Sequence, residues 1–284
     1  MSTPGRAILW RRLRRDRLGM LGAVLLLLLL LLSVLGPVLP LGDSTEIGAG
    51  PRLGPPTAAF PMGNDELGRS YLPRVVQGIG VTFALSSAAV AITALIGTAL
   101  GIAAGYLGGV VDGLIARVAD VLFAFPALLF GLLVAAVVGP GQISAIVVIS
   151  TATLPLFVRV IRSVALSVAG REFALAAVVA GASPWRVMAV HILPNIAGAA
   201  IVQLTYALSI GMLIESGLSF LGLGVQPPDA SLGSLLRLGS VYLNVSPWLA
   251  LIPGVVLALA IMSVNLLGDA IRDGLEPLRG RALT

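Results

Sequence analysis

Apolar residues gather into six runs, at 19–39, 81–105, 114–138, 142–166, 196–222 and 248–268. Each is long enough to cross a hydrocarbon layer as a helix, for which about 20 residues suffice. Inside a bilayer the backbone must satisfy its own hydrogen bonds, so runs of this length predict helices. The pattern predicts an all-α, polytopic transmembrane bundle of six spans with both termini on one side. Three connections stand out between the runs. Residues 40–80 are rich in Gly and Pro and read as a turn-dominated loop. Residues 223–247 carry Leu232, Leu235, Leu236 and Leu238 and predict a short amphipathic helix.

The third connection, 167–195, is the most structured. Glu172 to Ala180 contains strong helix formers, with an acid in the first turn where the helix dipole favours it. Gly181 breaks the run. Ser183 followed by Pro184 is an N-cap with proline at the first helical position, predicting a second helix from Pro184 to about His191, which Pro194 should stop. Two readings fit this helix-turn-helix: an amphipathic loop on the membrane surface, or a hairpin gripped by a protein groove. A surface helix usually has a basic polar face, whereas Trp185, Val187, Met188 and Val190 here accompany a single charge, Arg186.

All 18 basic residues are arginine. Arg6, Arg11, Arg12, Arg14, Arg15 and Arg17 precede the first run, so the positive-inside rule puts residues 1–18 in the cytoplasm. Following the chain through six crossings adds Arg117, Arg159, Arg162, Arg171, Arg186, Arg272, Arg279 and Arg281 to the same side. Only Arg52, Arg69, Arg74 and Arg237 fall outside. Segments 40–80 and 223–247 are therefore expected outside, with the 167–195 hairpin and a 269–284 tail inside. The first run, 19–39, is expected to remain as an anchor, because no small-residue cleavage site directly follows a short apolar core.

Composition narrows the function. With 57% hydrophobic and 11% charged residues and a mean hydropathy of +1.02, the chain belongs in a bilayer. Without lysine it has no phosphate-binding P-loop, so any ATP and Mg would be used by another chain. Without cysteine it has neither disulfides nor thiolate metal sites, and its one histidine, His191, lacks clustered partners for a metal. No catalytic residue, cofactor site or metal site is expected.

Charges near or within spans are costly and often functional. Asp120 and Asp269 each have an arginine three residues away, Arg117 and Arg272, as a helical partner. Glu215 has none and is the candidate pathway or gate residue, its alternative being a helix-packing hydrogen bond. Gly97, Gly101 and Gly105 form a stripe that permits close helix approach. A secondary transporter or channel using Asp120, Glu215 or Asp269 is the rival class. An intramembrane hydrolase is disfavoured, since a serine nucleophile needs a base and His191 is expected outside the membrane.

The spacing of Glu172, Ala176-Ala177, Gly181 and His191-Ile192-Leu193-Pro194 resembles the cytoplasmic loop of ATP-binding-cassette (ABC) importer permeases. The position after the alanine pair, often basic there, is Val178. Gly63, Asp65, Gly68 and Arg69 are similar to a segment of the dipeptide, oligopeptide and nickel importer permeases. Gly108 to Asp112 with Arg117, Asp120 and Phe125-Pro126 matches in the same order, as do Glu215 to Pro228 and Pro247 to Gly254 through Asp273. This resemblance implies a type I importer permease, half of a pathway for peptides, the alternative being nickel or another small solute, in a bacterial or archaeal cytoplasmic membrane. It also implies a second permease, two ATPases and an external binding protein as partners, and no nucleic acid. The docking residues it implies are Glu172, Ala176, Ala177, Gly181, Ser183, Pro184, Trp185, Arg186, His191 and Pro194.

Overall fold

The computed structural model describes residues 16–36 and 38–280, with side chains described as far as Leu275. Arg6, Arg11, Arg12, Arg14, Arg15 and Arg281 lie outside the described residues. The described chain is helical apart from turns and one isolated bridge between Asn64 and Ser70. The helices are α1 (Arg17–Leu35), α2 (Tyr71–Leu107), α3 (Gly109–Ala124), α4 (Ala127–Val138), α5 (Gln142–Ala169), α6 (Glu172–Val179), α7 (Pro184–Arg186), α8 (Leu193–Phe220), α9 (Leu232–Val241) and α10 (Trp248–Gly280), with a π-helical turn (Val187–Ile192) between α7 and α8.

Among the described residues five helices are long and apolar enough to cross a membrane. The expected third span, 114–138, is instead broken: α3 and α4 meet at 89°. Proline disfavours the helical region for the residue before it, and Phe125, ahead of Pro126, is extended (φ −85°, ψ 122°). Counting the broken pair as one span gives six.

Other boundaries also move. α2 begins at Tyr71 rather than near 81, because Pro73 falls in the first turn, where its missing N–H costs nothing. Pro194 does not stop the hairpin helix. The chain widens into the π turn just before it, with the Leu193 amide donating to the Met188 carbonyl, and the Asn195 amide side chain donates to the His191 carbonyl at 2.7 Å. α10 continues through residues 269–280, which were expected as a tail.

α2 is the central strut, with a core at each end. At one end Tyr71, Val75, Ile79 and Phe83 pack with Leu232 and Leu235 of α9 and Leu249 of α10, and the Tyr71 hydroxyl donates to the Leu249 carbonyl at 2.6 Å. The leucines of 223–247 are therefore partly inside the protein. At the other end Ile102 packs with Phe157 and Ile161 of α5 and with Val187, Ile192 and Ile196.

The Gly- and Pro-rich segment folds into a cap over the first core. Its strands of chain are pinned by backbone bonds, Gly48 N to Leu67 O (3.0 Å), Leu53 N to Asp65 O (2.9 Å) and Tyr71 N to Gly63 O (3.0 Å). Asp65 is fully buried at its centre. It accepts from Arg69 Nε at 2.6 Å and from the amides of Leu67 and Arg69, both at 2.9 Å. Arg74 Nε lies 3.4 Å from the same carboxylate, and Arg74 also donates to the Ser44 carbonyl at 3.1 Å. Removing one member of a buried charge pair leaves the other uncompensated. Asp65→Ala should therefore cost about 3–5 kcal/mol, seen as a lower melting temperature in detergent and rapid proteolysis between residues 43 and 70.

Candidate functional site

α5 leaves the bundle at Gly170, and the chain folds at once into the hairpin. α6 closes with both bonds of a Schellman motif: Ala182 N donates to Ala177 O at 3.0 Å and Gly181 N to Val178 O at 2.9 Å. That motif requires a left-handed residue, and Gly181 has φ +82°. Ser183 then caps α7, its hydroxyl accepting from the Arg186 amide at 3.4 Å, with Pro184 at the first helical position. The glycine turn, the serine cap and the N-terminal proline stand where the residues require them.

Each half of the hairpin has an inner and an outer face. Ala174, Val187 and Ile192 are completely or nearly buried, and Val187 and Ile192 join the second core. Outward point Phe173, Leu175, Val178 and Val179 from α6 and Trp185 and Val190 from the second arm. Trp185 is 75% exposed and Val179 89%. Glu172, Ala176, Gly181, Ser183, Pro184, Arg186 and Pro194 are also exposed, while Ala177 and His191 are half-buried. A hairpin this tightly tied to its core yet edged with large apolar side chains presents a preformed surface rather than a flexible loop.

Charged groups near the spans form four sites among the described residues. Glu215 is fully buried. Thr82 Oγ1 donates to its Oε2 at 3.0 Å and Ser219 Oγ to its Oε1 at 2.7 Å. Those same hydroxyls accept from the Leu232 and Val225 amides, so Glu215 ties α2, α8, the following turn and the start of α9 together. It does not line the cavity of about 240 Å³ beside the α3–α4 break, whose wall includes Phe123, Phe125, Thr153 and Gln203. Asp269 accepts from the Tyr206 hydroxyl at 2.6 Å.

Asp120 is paired differently from the expectation. Its partner is Arg159 of α5, at 2.5 Å, rather than Arg117 of its own helix. One turn further along α5, Arg162 grips Asp112 with two donors. Sequence reasoning missed both cross-helix pairs, because Arg159 and Arg162 entered it only as inside charges. Among the described residues no group of three or more metal-ligating side chains is present.

These features define a multi-pass helical membrane protein that presents a rigid hairpin beyond its spans. Residues 97–281 match the family described as binding-protein-dependent transport system inner membrane component, and residues 3–56 match the N-terminal transmembrane domain of oligopeptide transport permease C. The chain belongs to that family of transport permease subunits. It is 32% identical to the dipeptide transport system permease protein DppC of Haemophilus influenzae, over 94% of this chain and 93% of the relative. It is 35% identical to the probable D,D-dipeptide transport system permease protein DdpC of Escherichia coli, over 97% and 92%. Its fold resembles a chain of the MetNI methionine ABC transporter solved in inward-facing conformations, with a TM-score of 0.54 at 16% identity, covering 70% of this chain and 96% of that one.

The cap at Ser183 should be measurable locally. Ser183→Ala should cost about 0.5–2 kcal/mol at the start of α7, which corresponds to amide exchange faster by about 2- to 30-fold at residues 185–188 where opening is local.

Proposed function

We propose that this chain is one of two permeases of an ABC importer for short peptides, embedded in a bacterial or archaeal cytoplasmic membrane with the hairpin on the cytoplasmic side. The observation that carries the proposal is the exposed apolar edge of the hairpin, Val179 and Trp185 above all, on a scaffold whose inner face is locked into the bundle. A surface meant for lipid would be flanked by basic side chains, and here Arg186 stands beside Trp185 with Glu172 on the other arm. A cleft on an ATPase subunit fits it better.

In this reading Trp185, Val179 and Leu175 fill the cleft, Glu172 and Arg186 fix the register at its rim, and Gly181 sets the angle between the arms. ATP and Mg are bound and hydrolysed by the ATPase subunits. Closure of the two ATPases draws the two hairpins together, and the packed spans carry the motion across as rigid bodies. A binding protein delivers the solute at the far end, over the cap and α9. The peptide assignment rests on the names of the relatives, which include dipeptide and D,D-dipeptide permeases.

Purification in mild detergent from the native membrane, followed by mass spectrometry, tests the assembly. Wild type should bring a second permease and ATPase subunits. Gly181→Asp, which places a side chain at φ +82°, and Trp185→Asp should keep the second permease and lose the ATPases. A wild-type chain that came away alone, or ATPases retained in both variants, would contradict the docking assignment.

The substrate class is tested by uptake. Deleting the chain should abolish accumulation of a labelled dipeptide while sparing a free amino acid. Unchanged dipeptide uptake would rule out the peptide assignment.

A further inference from the structure

α3 is held in an unusual way. At its start Gly108 and Gly109 both have positive φ, +63° and +51°, with no atom within 4 Å of where a side chain would begin. At its end the chain turns by 89° at Phe125-Pro126. A helix with such a joint at each end is located only by what it touches along its length. It touches little: Ala119 is its one buried residue. Beneath it lies an apolar void of about 170 Å³, bounded by Leu114, Ile115, Val118 and Leu122 on its own side and by Leu154 and Val158 of α5 on the other.

Two ion pairs bridge this gap. Arg162 donates through Nε and Nη2 to the two oxygens of Asp112, the second bond at 2.5 Å. This is the two-pronged geometry in which an arginine fixes a carboxylate in orientation as well as distance. Arg159 Nη2 donates to Asp120 at 2.5 Å, and its guanidinium carbon sits 5.1 Å from the centre of the Phe123 ring. The first pair lies near the start of α3 and the second near its end, so together they fix position and tilt. Both are partly exposed. Pairs of that kind add little to overall stability, so their consequence is positional.

The helix they grip α3 to is α5, which runs on to the hairpin at Gly170. Arg162 lies eight residues from that end, about 12 Å at the α-helical rise. At the other end of α3, Phe123 and Phe125 form part of the 240 Å³ cavity, together with Gln203.

We infer that Arg159–Asp120 and Arg162–Asp112 are positioning pairs that yoke α3 to α5, so that a displacement of the hairpin reaches the cavity wall at Phe123–Pro126. This rests on the docking of the hairpin to an ATPase. The pairs stay closed through the cycle, because a yoke that opened would let α3 swing on its two joints. The cavity wall is moved by the arginines of α5 rather than by packing.

The test uses the complete importer in proteoliposomes, with ATP hydrolysis and peptide uptake measured on the same samples. In Asp112→Asn/Asp120→Asn, ATPase subunits and ATP hydrolysis should be retained while uptake falls about tenfold, within the usual range for coupling between sites. Exchanging the charges of both pairs, Asp112→Arg/Arg162→Asp with Asp120→Arg/Arg159→Asp, should restore most of the uptake. Since the chain has no cysteine, Asp112→Cys/Arg162→Cys offers a clean pair of thiols in this subunit. Joining them with a short bifunctional thiol reagent should give uptake at least equal to that of the unjoined variant.

Unchanged uptake in the doubly neutralised chain would overturn the inference. So would a block of uptake on joining the thiols, which would mean that the pair has to open. Loss of the partner subunits from the neutralised chain, unrepaired by the exchange, would overturn it by making the pairs merely structural. If wild type itself recovers no ATPase, the docking assignment fails first, and that result is visible before any variant is compared.

Discussion

The close approach of α2 and α5 is the contact from which the rest of the molecule is hung. Gly97, Gly101 and Gly105 face Phe157, Ile161 and Arg162 so tightly that an added side-chain carbon would lie 2.7 Å from an atom of each. In lipid there is no hydrophobic force to press two apolar helices together, and contact is gained by letting backbones come near. Thr93 strengthens the seam midway, donating to the Ser150 carbonyl at 3.2 Å and sharing a hydrogen bond with Thr153 at 2.8 Å. The hairpin leaves from the end of α5 and packs back on Ile102 of α2. The cap and α9 sit on the opposite end of α2. Both ends of the molecule are thus referred to a single helix pair.

Charge is distributed to suit that arrangement. Asp65 and Arg69 of the cap are concentrated with Arg74 at the start of α2, and Asp112, Asp120, Arg159 and Arg162 on the faces where α3 meets α5. Among the described residues Glu215 is the one acid deep among the helices, and hydroxyls rather than a cation satisfy it. A carboxyl group so placed costs much if any partner is lost. Thr82 and Ser219 each serve it while also holding a backbone amide, so the site joins three helices through two small side chains.

Much of this was legible in the chain. Six apolar runs located the spans, and Gly181, Ser183 and Pro184 located the turn and cap of the hairpin, because each residue answers a local backbone demand. What failed depends on distance. Proline does not announce its effect: Pro155 lies inside an unbroken α5 and Pro194 is absorbed by a π turn, whereas Pro126 breaks a span. The difference lies in whether the surrounding helices hold the chain straight, and α3 has almost no packing to do so. Asp120 chose Arg159 over Arg117 for a similar reason, since the short-range rule does not know which neighbour lies across the gap. The fold of the cap was hidden because its cohesion comes from backbone bonds and from one buried aspartate, and composition showed only glycine and proline. The hairpin residues expected to dock were brought together on one projection, with Ala177 and His191 turned partly inward.

The central claim is that α5 and the hairpin move as one body, with α2 carrying the far end along. A distance measurement between spin labels tests it most directly. With labels at Val190→Cys and Ile143→Cys, both at exposed positions and neither assigned to the cleft, the distance within one chain should stay unchanged between the nucleotide-free and ATP-trapped states of the proposed importer. Over the same change, Val190→Cys labels on the two proposed permeases, the partner labelled at its corresponding hairpin position, should approach each other. A shift of the distance within the chain, with the distance between hairpins constant, would contradict the account.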